Sequence, residues 1–171
     1  MPTFASPSLP ACAAALVVAC ALGGCAGSSP GGAGSRPVDA AASLAASMTV
    51  ERQWLASWFK GTPVVIAQRR DGAITVDVPR EFCFDPGRTA VKPALAAVLD
   101  KVAESMRRVP ATQLAWLAAP DDANGGGPLA VQRASQVRDH LRGRGVAPVR
   151  LGKASVATAP AVQLRIEGPA P

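Results

Sequence analysis

Tyrosine is absent from this chain, aromatic residues make up only 4% of it, and there is one histidine, His140. A single histidine cannot form a His pair at metal-ligand spacing, no His-Glu-x-x-His motif occurs, and the Gly-x-Ser-x-Gly match at residues 27–31 lies in a stretch of small residues, Gly and Pro that is no strand-to-helix nucleophile elbow. No run of eighteen apolar residues is present, so the sequence contains no candidate membrane-spanning helix. The four cysteines, Cys12, Cys20, Cys25 and Cys83, show no Cys-x-x-Cys spacing. Glycines 125–127 precede a helical stretch, but no Gly-Lys-Ser/Thr follows them, which excludes a phosphate-cradling loop. These absences leave no expected catalytic residue, metal or cofactor, and the chain is expected not to be an enzyme. His140, beside Asp139 on a helix flank, reads as a solvated residue.

Small residues, glycine, proline and basic charge are plentiful. Lys and Arg outnumber Asp and Glu by 18 to 12, giving a net charge of +6, and the first fifty residues carry only Arg36 and Asp39. A basic domain suits an anionic partner. The apolar run at residues 11–22 is too short to cross a bilayer and reads as the core of a signal peptide. It leads into Leu22-Gly23-Gly24-Cys25, which resembles the bacterial lipobox. That resemblance implies removal of residues 1–24, lipidation (palmitate) of Cys25 and, with Ala26 next, an outer-membrane anchor. An exported protein is not expected to meet nucleic acid. Cys12 and Cys20 would leave with the signal, so Cys83 stands alone and no internal disulfide can brace the domain.

Residues 25–37 are small, polar and interrupted by Gly and Pro, a flexible tether of roughly 40 Å when extended at about 3.4 Å per residue. Residues 38–60 show a helical period, with Leu44, Met48, Leu55, Trp58 and Phe59 near one face; Gly61 and Pro63 stop it. Residues 64–67 and 73–78 read as two strands around an Asp71-Gly72 turn. Residues 81–84 read as a further short extended piece ending at Asp85-Pro86-Gly87. Residues 89–109 form the clearest amphipathic helix, with Pro93 in its first turn. A covered strand at 114–118, a helix over 128–142 and two strands at 149–156 and 162–166 complete the chain, and 168–171 is a tail. Alternation of this kind predicts an α+β fold with one mixed β-sheet and two main helices on one face, in the order ββαβαββ, plus an N-terminal helix.

This order, together with Phe82-Cys83-Phe84-Asp85, Val91-Lys92-Pro93-Ala94-Leu95 and Leu129 followed by Arg133-Ala134, Val137 and Leu141, resembles the OmpA-like domain over residues 64–167. The run from His140 through Gly145-Val146 into Val149-Arg150-Leu151 is similar to that family's exit from its second helix. The resemblance implies a two-layer sandwich and noncovalent binding of peptidoglycan through the diaminopimelate of its stem peptide. It also implies a ligand-binding set: Arg133 for a carboxylate, Asp121 or Asp122 for an ammonium, and Asn124 nearby. Arginine's planar fork suits a carboxylate, and charge-assisted bonds to a zwitterion are the strong kind. The family's Gly-His-Thr-Asp turn reads Ala118-Ala119-Pro120-Asp121 here, keeping the aspartate alone; Pro120 has no N–H to donate.

The expectation is an outer-membrane lipoprotein whose periplasmic OmpA-like domain ties the envelope to the cell wall. The alternative is an interaction or assembly module of an envelope complex, with other envelope proteins as partners, in which peptidoglycan binding has been lost.

Overall fold

Alternation and helical periods resolve into three helices and five strands in the computed structural model, which describes residues 37–123 and 126–169. The signal region, Cys25, the tether and Asn124 lie outside the described residues. Helix α1 spans Pro37–Trp58, α2 Pro93–Arg108 and α3 Pro128–Gly143; the strands are β1 Val65–Gln68, β2 Ile74–Pro79, β3 Gln113–Ala119, β4 Ala154–Val156 and β5 Ala161–Glu167. The sheet order is β1-β2-β5-β3-β4, antiparallel except for the β3–β4 pair. A parallel pair needs a crossover, and α3 provides it. Among the described residues, no helix is long and apolar enough to cross a membrane.

The inward residues of β2 (Ile74, Val76, Val78) and β5 (Val162, Leu164, Ile166) meet Leu95, Leu99, Val102 and Met106 of α2 and Val137 and Leu141 of α3 in one cluster. In β3 both Leu114 and Leu117 join it, although an odd spacing should put them on opposite faces. A register shift between Leu114 and Trp116 absorbs one residue and turns Trp116 outward opposite Arg165. The β1–β2 hairpin closes as its Asp-Gly pair requires: Gly72 has φ 83°, and the Asp71 carboxylate accepts the Ala73 N–H at 3.1 Å.

Helix α1 belongs to the same core through Met48 and Leu55. It is also clamped to α2 by charge. Arg108 donates to both Glu51 carboxylate oxygens, at 3.0 and 2.7 Å, and its guanidinium lies 3.5 Å from the Trp54 ring centroid. Lys101 sits 3.8 Å over Trp58. Glu51→Gln is expected to lower stability by about 1–2 kcal/mol, measured by urea unfolding, because Glu51 is buried while Arg108 stays partly solvated.

Three local expectations are corrected. Residues 80–82 form a 3-10 turn, so 81–84 is not extended. Pro79 ends β2, the Arg80 N–H reaches Pro160 O at 3.0 Å, and Cys83 N–H returns to Arg80 O at 2.9 Å. Helix α2 begins at Pro93, not residue 89, with Lys92 extended as its N-cap; clash with the following proline ring disfavours helical geometry there. The expected strand at 149–156 is shortened to Ala154–Val156 behind a 3-10 turn at Pro148–Arg150. The turn is held by Arg150, which donates to the carbonyls of Met106 (2.6 Å), Val109 (3.2 Å) and Thr112 (2.7 Å) at the end of α2.

Candidate functional site

Two loops meet at one end of the sheet: residues 80–92, between β2 and α2, and residues 120–127, between β3 and α3. The first is shaped by the 3-10 turn and by Asp85-Pro86-Gly87-Arg88, closed by an Arg88 N–H to Asp85 O bond of 3.0 Å with Gly87 at φ 66°. Arg133, one turn into α3, reaches between them. Its side chain is 0% exposed.

Full burial of a guanidinium is tolerated only when its donors are met. Nε–H donates to Arg88 O (2.9 Å), Nη1–H to Pro120 O (3.1 Å), and Nη2–H to Asp85 O (3.1 Å) and to Asp122 Oδ1 (2.7 Å). The Phe84 ring lies beneath, 4.8 Å from the guanidinium carbon. Arg133 therefore staples the two loops together. Asp122 completes the staple from outside: its other oxygen accepts the Gly87 N–H at 2.6 Å, while its side chain stays 43% exposed.

The Gly87 N–H, and then the Arg133 guanidinium, hold the Asp122 carboxyl below the ordinary aspartate value of 3.8. A depressed carboxylate adds stability at pH above its unfolded value, and that contribution is lost as pH falls through the folded one. Acid unfolding monitored by circular dichroism is thus expected to steepen below about pH 4 in the natural chain. Asp122→Asn should flatten that part of the profile, leaving the contributions of Asp71, also lowered, by Arg165 foremost, and of Glu104, lowered by Lys101 foremost.

Asp121 has a different task. Its Oδ1 accepts the Ala123 N–H (2.9 Å) and its Oδ2 the Gly127 N–H (3.3 Å), where Gly127 is the N-cap of α3. A carboxylate there also complements the positive end of the helix. Asp121, Asp122 and Arg133 thus lie together, with Asp122 ion-paired to the arginine.

The open space is beside the staple, not at it. A cleft of about 320 Å³ is lined by Arg80, Glu81, Phe84, Asp85, Pro86, Lys92 and Asp122. Lys92 Nζ pairs with Asp85 Oδ1 at 3.2 Å and donates to Glu81 O at 3.0 Å. Arg80 donates through Nη1 to the carbonyls of Asp121 (3.2 Å) and Asp122. Arg80, Asp85 and Lys92 were not among the site residues expected from the sequence, although Asp85 and Lys92 stand in the phrases that carry the resemblance. Their signal was the density of charge around a strand–helix loop, which is where binding residues gather.

Solved structures match this architecture. A MotB-like protein from Desulfovibrio vulgaris aligns with a TM-score of 0.58 at 18% identity, over 76% of this chain and 96% of that one. The cell wall anchor of the T6SS from Pseudomonas aeruginosa aligns at 0.54 and 18%, over 68% and 96%. The fold is OmpA-like. A periplasmic domain of Helicobacter pylori MotB also matches at 0.53 and 18% identity, over 65% of this chain and 83% of that one. No protein-family model and no curated protein matches the sequence.

Two other reactive groups do not line this cleft. The Cys83 thiol is buried and donates to Val78 O (3.3 Å) and Pro79 O (3.2 Å); burial pushes its pKa up to about 12, which makes it a poor nucleophile. His140 Nε2 meets Asp100 Oδ1 at 2.7 Å across the α2–α3 seam, and Arg144 Nε meets the same oxygen at 2.7 Å.

Proposed function

We propose that the domain binds peptidoglycan noncovalently and serves as a wall-binding module of the bacterial envelope. The observation that carries this is the cleft, where exposed charges of both signs surround a Phe84 floor on a fold shared with a cell wall anchor. Such a site suits the ammonium and carboxylates of a diaminopimelate-containing stem peptide. Within this proposal Asp122 and Arg133 shape the cleft, and Asp121 and Asn124 belong to its loop. The lipobox at Leu22-Gly23-Gly24-Cys25 supports an outer-membrane anchor through lipidated Cys25, with the domain in the periplasm. The reading is non-catalytic.

Sedimentation with purified sacculi tests it: the natural chain should pellet with the wall, and recovery in the supernatant at all sacculus concentrations would end the reading. Labelling with palmitate, present in the natural chain and lost in Cys25→Ser, tests the anchor separately.

A second reading, an envelope assembly module without wall binding, is favoured by the four protein acceptors that already occupy Arg133 and by exposed Trp58 and Phe82. Photocrosslinking from residues 54–59 in intact cells would then trap one protein at defined size, against only background products for the wall-binding reading.

A further inference from the structure

We propose that the outer edge of β1, with the apolar groove at its start, is a docking site for an extended acidic segment of another protein, which joins the sheet as an added strand. The groove shares no lining residue with the cleft, and the inference does not depend on wall binding. In the order β1-β2-β5-β3-β4, β1 is paired on one side only. The Arg69 N–H to Ala73 O bond of 2.8 Å sets the alternation of the hairpin. Ala67 and Val65 therefore bond to Thr75 and Asp77, and the N–H and C=O groups of Ile66 and Gln68 point away from β2. Among the described residues no backbone group meets them from that side. Such an edge is a template for another extended chain.

Val64, the residue before β1, also lines a groove of about 410 Å³ with Trp58, Phe59, Val78, Phe82 and Ala97. An apolar side chain at the end of an added strand has a place there, and the backbone edge supplies the rest of the grip. Charge selects the occupant. Lys60, Arg69 and Arg70 flank β1, are exposed, and make no ion pair among the described residues; Asp71 is taken by Arg165 at 2.7 Å, which leaves Asp77 as the acid facing Val65. An acidic strand complements this edge. A second copy does not: pairing antiparallel, it carries its own Arg69 and Arg70 against the groove, and pairing parallel, it sets them beside the first pair. A bilayer also fits poorly, because lipid would leave the Ile66 and Gln68 backbone groups without partners.

The test holds the full natural chain in discs of zwitterionic phospholipid and adds a synthetic peptide alternating glutamate with valine and ending in leucine. Amide hydrogen exchange is expected to slow at Ile66 and Gln68, and the peptide should bind about tenfold more tightly than its lysine counterpart. N-methylation of the peptide's backbone amides should abolish the protection, since the added strand then has no N–H to donate. Arg69→Glu with Arg70→Glu, both at exposed positions, should erase the preference for the acidic peptide. Ala97→Gln, an exposed helix substitution that fills the groove, should weaken binding several-fold and leave the melting temperature unchanged. No slowing at Ile66 and Gln68, equal binding of the two charge versions, or binding that survives N-methylation would each overturn the inference. Protection of Ile66 by anionic phospholipid alone, or by raising the protein concentration alone, would overturn it too, assigning the face to a membrane or to a second copy.

Discussion

Arg133→Met is expected to remove about 3–4 kcal/mol of stability, roughly a 10 °C fall in melting temperature, measured by urea and thermal unfolding. Methionine keeps an apolar stem against Phe84 but leaves three carbonyls, of Asp85, Arg88 and Pro120, without the donor that met them. Each buried acceptor left unmet costs about 1–3 kcal/mol, and the lower part of that range applies because loop carbonyls can admit water. Asp122 adds little, since its exposed carboxylate can turn to solvent. The substitution should also loosen residues 85–88, seen as faster amide exchange at Gly87, whose N–H is tied to Asp122. A loss under 1 kcal/mol would show that the staple is dispensable and that burial of the guanidinium serves something else.

Gly152→Ala should cost a comparable amount, about 3 kcal/mol, for a purely steric reason. A Cβ at this position would stand 2.6 Å from Leu114 O, 2.7 Å from Ala115 O and 3.0 Å from the Ala115 carbonyl carbon. All three atoms are backbone of β3, so no side chain can swing aside. Gly152 also donates its N–H to Leu114 O at 2.7 Å, two residues before β4 begins at Ala154. Moving it away unpairs the parallel β3–β4 edge, where Leu117, Ala118 and Ala119 face Ala154, Ser155 and Val156. Hydrogen exchange should therefore rise first at residues 151–157, with β2 and β5 protected until global unfolding. Equal loss of protection across the sheet would mean that the edge and the core unfold as one unit.

The elements whose period is clean were legible. Ile74, Val76 and Val78 alternate, and they line the core; Leu95, Leu99, Val102 and Met106 repeat at helical spacing, and they do too. Where the expectation missed, a side chain had redirected the backbone from a distance. Arg150 pulls its own segment out of the strand by gripping carbonyls 38 to 44 positions earlier, a force that no window of neighbouring residues contains. The bulge at Ala115 is similar: a short apolar run specifies a covered strand but not which residue is squeezed out of register.

Arg133 shows the division most clearly. It falls on the same inward stripe as Ala130, Ala134, Val137 and Leu141, so the helical period by itself pointed it toward the protein. Its charge argued for an exposed, ligand-facing role, because a guanidinium is buried only at high cost without partners. The partners are carbonyls of Asp85, Arg88 and Pro120, backbone groups that every residue carries and that leave no mark in composition or spacing. By itself the sequence determined the helices and strands with a clean period and the inventory of charges in two loops. Only the tertiary structure decided which charges meet. Packing brought two loops some 40 residues apart around one arginine, satisfied it there, and left Lys92 and Asp85 at the surface of the cleft beside it.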